Sequence, residues 1–240
     1  MLEAFDKYVQ NYDLNEENIK LKYNHSYRVI NLSKKYAQLL NFSKEDIEIA
    51  SIIGLLHDIG RFEQYKNFSS FDDSKNIDHA DYSVHLLFEQ NQIKDFNIPE
   101  KYYETIEFAI KNHNKLSIPY TTNKKALMHA KLIRDTDKID IIYLLGYLKE
   151  YKLKVTDEPI SEAVINEFNK HQTININLWH NTNDQIVAKF AFAFDINNAI
   201  CLKELKENYK YFYERLNNEK FKPFYLEILK YIDERIDNNA

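Results

Sequence analysis

The stretch "IIGLLHDIGRFEQ", Ile52 to Gln64, decides how the rest of the chain is read. With the "IAS" before it, it makes eight residues of almost pure apolar character that run straight into His57 and Asp58. A helix that enters a core so decisively should end on something inert. Here it delivers an imidazole and a carboxylate side by side against buried surface, where an unpartnered charge is costly. Both need partners from elsewhere in the chain.

Outward from this stretch the spacing is helical. "SKEDIEIASIIGLLHDIG" opens with Ser43 as N-cap and Asp46 three residues on, and is expected to stop at a left-handed Gly60. Upstream, Val29, Ile30, Leu32, Tyr36, Ala37, Leu39 and Leu40 recur at helical intervals. From Arg61 to Ile77 an aromatic, polar loop is expected. In it Phe62, Tyr65, Phe68 and Phe71 recur at threes, a spacing for core packing first and a pocket mouth or base-stacking lid second.

Helices resume with Asp78 as N-cap of "DHADYSVHLLFEQN", and Pro99 suits the first turn of "PEKYYETIEFAIKNH". "KKALMHAKLIRDTDKIDIIYLLGYLKEY" is one long helical pattern. About three more helices follow from Val155, including "ENYKYFYERLNN" and "PFYLEILKYIDERI"; "TININLW" alone alternates as a short strand would. Three glycines and four prolines in 240 residues leave few turn devices, so an all-α fold is expected. The organisation expected is a helical domain over 1–150 and a C-terminal helical extension over 151–240 packed on it.

Bulk properties remove several functions. A net charge of −5 with no basic stripe argues against general nucleic-acid binding. The longest apolar run is less than half a membrane span. A single cysteine, Cys201, forms no intramolecular disulfide, and "MLEAFDKYV" is acidic where a signal peptide is basic, so a cytoplasmic protein is expected. The 18 Tyr and 15 Phe suit wide helix interfaces. Those of the C-terminal helices also suit a lid or a homodimer surface.

Four of the eight histidines, His25, His57, His79 and His113, lie on or at the end of separate expected helices. Asp58 abuts the second, and Asp137 follows the fourth by 24 residues. Imidazole nitrogens and carboxylate oxygens without a thiolate suit a divalent transition metal: Fe, Mn, Zn, Co or Ni. His85, His129, His171 and His180 need no role beyond an ordinary hydrogen bond.

Read together, "HSYRV", "LLHDIGR", "DHADYS", "IKNH" and "DTDKID" resemble the HD-domain metal-dependent phosphohydrolase superfamily over about residues 20 to 145. The resemblance implies a helical bundle with His25, His57, Asp58 and Asp137 as metal ligands, Asp135 being the alternative to Asp137. It adds His79 and His113 as the extended set that holds a second ion, so one or two ions are expected, two favoured. Asp58 would then bridge the ions and be central to catalysis, with a metal-bound hydroxide attacking phosphorus. Arg61, then Lys138 and Arg28, are the cations expected to hold substrate, and Arg61 and Lys138 to assist catalysis. The substrate implied is a small phosphorylated molecule, of which a nucleotide is one example. A di-iron oxygenase of the same scaffold is the alternative, and a non-catalytic regulatory module ranks after it.

Overall fold

The computed structural model describes residues 1–148 and 153–238, and among them every regular element is a helix and none a strand. Two units divide the chain, Met1–Thr136 and Asp137–Ala240, with the boundary inside one long helix. The first unit holds α1 (Leu2–Val9), α2 (Glu17–Leu39), α3 (Lys44–Leu56), α4 (Gly60–Phe68), α5 (His79–Val84), α6 (Tyr103–Lys111) and the first half of α7 (Lys124–Tyr147). Beyond Val84 the chain widens into a π-helical turn, His85–Glu89.

The apolar run found in the sequence is α3, and its start is the one expected. Ser43 Oγ accepts from Asp46 N at 3.1 Å and donates to the Asp46 carboxylate at 2.6 Å. Ile49, Ile53, Leu55 and Leu56 are buried, joining one core with Phe5, Val29, Phe62, Ile106 and Ile110. Each such side chain contributes roughly 1.5–3 kcal/mol by leaving water. The crossing of α3 on α2 requires a glycine. A Cβ built at Gly54 would stand 2.8 Å from Ser33 Oγ and 3.0 Å from both Ile30 Cα and Val29 O. This close approach brings the end of α3 beside the middle of α2.

Gly60 behaves differently from the expectation. No glycine has a positive φ; the helix ends at Leu56, and after His57–Ile59 Gly60 begins α4. A Cβ there would meet Ser83 N at 2.8 Å and His79 O at 2.9 Å. The glycine serves close packing of α4 on α5. The expected loop from Arg61 is likewise helical as far as Phe68, and left-handed Ser69 (φ 50°) ends it. Phe62 is fully buried, ringed by Phe5, Tyr8 and Tyr12, while Phe68 is exposed. A strap without helix then runs from Ser69 to Asp78, the N-cap of α5, whose side chain accepts from the amides of Ala80 and Asp81. Pro99 precedes a single 3₁₀ turn, Glu100–Tyr102, which leads into α6.

The second unit contains the rest of α7 with α8 (Glu162–Asn169), α9 (Thr182–Phe190), α10 (Ala199–Leu216) and α11 (Lys222–Asp237). Phe168, Phe190, Tyr209, Phe212 and Phe221 are buried there. The Tyr209 hydroxyl is satisfied by the carbonyls of Lys189 and Phe190, at 2.9 Å each. "TININLW" is not a strand: Ile176–Leu178 form a 3₁₀ turn capped by the Asn175 side chain. Residues 149–151, the end of the long helical pattern, lie outside the described residues.

Candidate metal centre

Five residues from four places in the first unit converge: His25 from mid-α2, His57 and Asp58 just past α3, His79 at the start of α5, and His113 just past α6. All five are buried. Asp58 lies at the centre with one oxygen for each side. Oδ2 is 3.4 Å from His25 Nε2 and 3.7 Å from His57 Nε2. Oδ1 is 3.3 Å from His79 Nε2 and 3.6 Å from His113 Nε2. Within the pairs, the His25 and His57 Nε2 atoms are 3.2 Å apart, and those of His79 and His113 2.9 Å.

The outer nitrogens settle what the inner ones carry. His57 Nδ1 faces the carbonyl of Gly54 at 3.0 Å, and His113 Nδ1 that of Ile110 at 2.7 Å. A carbonyl only accepts, so both Nδ1 atoms hold the proton. His79 Nδ1 does the same toward Asp73 Oδ2 at 2.5 Å. Burial, then the Arg61 charge, push the His79 pKa down to about 4 against the pull of Asp73 and Asp58, so this imidazole is neutral near pH 7. The Nε2 of His79 therefore turns a lone pair toward the Nε2 of His113, 2.9 Å away.

Imidazole nitrogens about 2.1 Å from one transition ion, at tetrahedral to octahedral angles, are about 3.0–3.4 Å apart. Both pairs are close to this spacing, so either half could hold a divalent ion, and Asp58 has an oxygen toward each. His25, His57 and Asp58 form one group able to hold an ion, and Asp58, His79 and His113 another.

A buried carboxylate also needs a counter-charge. Burial alone would raise the Asp58 pKa; the Lys22 ammonium, 2.6 Å from Oδ2, outweighs it and holds the group well below the usual carboxylate range. Arg61 approaches the other oxygen, its Nε 3.8 Å from Oδ1. That Nε is buried without a hydrogen-bond partner, while Nη1 donates to Gln64 Oε1, Phe71 O and Asp73 Oδ1, each at 2.7 Å. Both cations lie over the ring of Phe71, Lys22 Nζ at 5.4 Å and Arg61 Cζ at 5.6 Å from its centroid. Of the aromatic series, Phe71 is thus at the edge of the centre.

Arg28 is half-buried on α2, one turn past His25. Asp137 follows Thr136 on α7 and opens the second unit, so its part as a ligand rests on the family pattern. Asp135 is buried but belongs to neither ligand group. Lys138 is buried and paired with Asp195 at 2.7 Å, over the ring of Phe192.

Three residues of this centre escaped the sequence reading. Lys22 lies three residues before His25, so the shared helix face was readable but not what it faces. Asp73 sits in the strap, where no periodicity marks it. Arg134, fully buried on α7, donates to the carbonyls of Asn112 and Lys115 on either side of His113 and steadies that turn.

Residues 23–142, half of the chain, match the family described as HD domain. No curated protein and no solved structure matches the chain.

Proposed function

The chain belongs to the HD-domain family, a superfamily of metal-dependent hydrolases, and on that premise we propose that it is a phosphohydrolase acting on a small phosphorylated molecule with the aid of two divalent transition ions. The observation that carries this reading is Asp58, with one oxygen toward each histidine pair and a cation beside each oxygen. Asp137 is proposed as a further ligand from the family pattern. When bound, such ions acidify water near neutral pH and neutralise charge on phosphoryl oxygens.

The chain's own share follows from its contacts. The carbonyls of Gly54 and Ile110 and the Asp73 carboxylate keep the Nδ1 protons in place, so three imidazoles present Nε2 to the centre. Asp58 stays ionised and central. Lys22 and Arg61 are the cations best placed to hold non-reacting oxygens of an anion, Arg61 with a buried N–H still to donate. Arg28 is a further candidate, and Lys138 would first have to leave Asp195. A centre flanked by two cations favours an anionic substrate, and hydrolysis, over the oxygenase chemistry of the same scaffold.

The deciding experiment measures metal content after purification without chelator, then phosphoester hydrolysis with and without oxygen. Near two equivalents of metal with oxygen-independent phosphate release supports the proposal. Turnover lost under anaerobic conditions with metal retained would favour the oxygenase. No metal under any loading condition would overturn the catalytic reading.

A further inference from the structure

We propose that Asp73 is the positioning residue that sets how tightly the His79/His113 half of the centre holds its ion, an inference that rests on the two-ion reading above. The support given to the histidines is unequal. His57 and His113 each donate from Nδ1 to a neutral backbone carbonyl, at 3.0 and 2.7 Å. His79 donates to a carboxylate at 2.5 Å. A carboxylate behind an imidazole makes the opposite nitrogen a stronger base and fixes the ring plane, and losing such a partner typically weakens metal binding about 10–100-fold.

Asp73 belongs to no helix, so its position has to be built from side chains. Its other oxygen takes Arg61 Nη1 at 2.7 Å and Gln64 Nε2 at 3.0 Å. Both donors come from one face of α4, three residues apart. Fully buried Gln64 also donates to Ile77 O at 3.0 Å, and Arg61 to Phe71 O at 2.7 Å, so the strap is tied at three points to the helix that follows the His-Asp pair. Asn114 completes the set, its amide 3.0 Å from Asp78 Oδ1 and 3.4 Å from Asp73 Oδ2.

Asp73, Asp78 and His79 could be read as a separate ion site. Its members are already committed: Asp78 caps α5 and pairs with Lys115 at 2.7 Å, and the His79 atom it would use carries the proton shared with Asp73. The geometry therefore makes Asp73 a support for His79. One carboxylate joins the strap, the guanidinium proposed to meet substrate, and the second ion's ligand. Seating of the strap and affinity of that ion are linked.

The test titrates chelator-stripped protein with Mn²⁺ by calorimetry, for wild type, Asp73→Asn and Asp72→Asn. Asp72 is the control, because its partners are Ser74 and Lys75 within the strap. Two binding steps are expected in wild type. In Asp73→Asn one step weakens about 10–100-fold and the other is unchanged, whereas Asp72→Asn keeps both. An Asp73→Asn titration like wild type overturns the inference while leaving the two-ion reading intact. A single step in wild type overturns that reading and this inference with it. Imidazole ¹⁵N NMR of the metal-free wild type decides independently of how the variant folds. His79 protonated at Nδ1 is the expected result, and protonation at Nε2 overturns the proposal.

Discussion

Lys22 and Asp58 meet at 2.6 Å, the ammonium reaching from one turn before His25 to the oxygen that faces the His25/His57 pair. The carboxylate is 2% exposed, and Lys22 is the charge closest to it among the described residues. Removing one member of a buried ion pair costs on the order of 3–5 kcal/mol, because the other is left without compensation. Lys22→Met should therefore destabilise the metal-free protein by about that amount. Divalent metal should recover much of the loss, since it supplies positive charge at the same oxygen. Urea unfolding with and without metal measures both; an unchanged metal-free midpoint would contradict the charge-balance account.

Asp58→Asn keeps the volume and removes the charge. Bound metal should fall to near zero and phosphoester turnover to background, with the fold retained by circular dichroism. The wild type, in contrast, should gain about 2.7 kcal/mol of stability for each ion bound, at an ion concentration 100 times that site's dissociation constant. A variant that still binds metal and turns over would contradict the central role of this residue.

Gly54→Ala tests the crossing that brings His25 to His57. The added methyl meets two backbone atoms at 3.0 Å and Ser33 Oγ at 2.8 Å, so α2 and α3 have to separate. A loss of about 1–3 kcal/mol is expected. Weaker metal binding should accompany it, because His25 and His57 stand on the two sides of that crossing. Stability loss without any change in metal affinity would show that the site tolerates the shift.

His129 gives a pH signature away from the metal centre. Burial lowers its pKa from 6.5 and outweighs the Asp46 carboxylate, 3.2 Å from Nε2; the buried Nδ1 has no hydrogen-bond partner. The folded state thus prefers the neutral ring, and the unfolded chain takes up the proton first. This contribution is present above about pH 6.5 and is lost as pH falls through the window below it. Urea unfolding at pH 5, 6 and 7 should show a shallower pH dependence in His129→Asn than in wild type. Identical slopes would rule the contribution out.

Helical spacing, scarce glycine and the capped apolar run Ile49–Leu56 were enough to establish an all-α chain, because these are local properties. The ordered histidines and the His-Asp pair exposed five members of the centre for a related reason. A ligand set distributed over successive helices leaves an ordered trace in the sequence, and the adjacent pair anchors it. Lys22, Asp73 and Arg134 left no such trace: a lysine on a helix face, an acid in a strap and an arginine in a long helix are commonplace until their partners 36, 6 and 22 residues away are known. Gly60 shows the same limit in another form. Glycine permits both a left-handed stop and a close approach, and only its distance to α5 distinguishes them. Local chemistry determined which residues were capable of holding metal; the packing of α2 to α6 decided which atoms face one another, because distances between helices depend on the whole core.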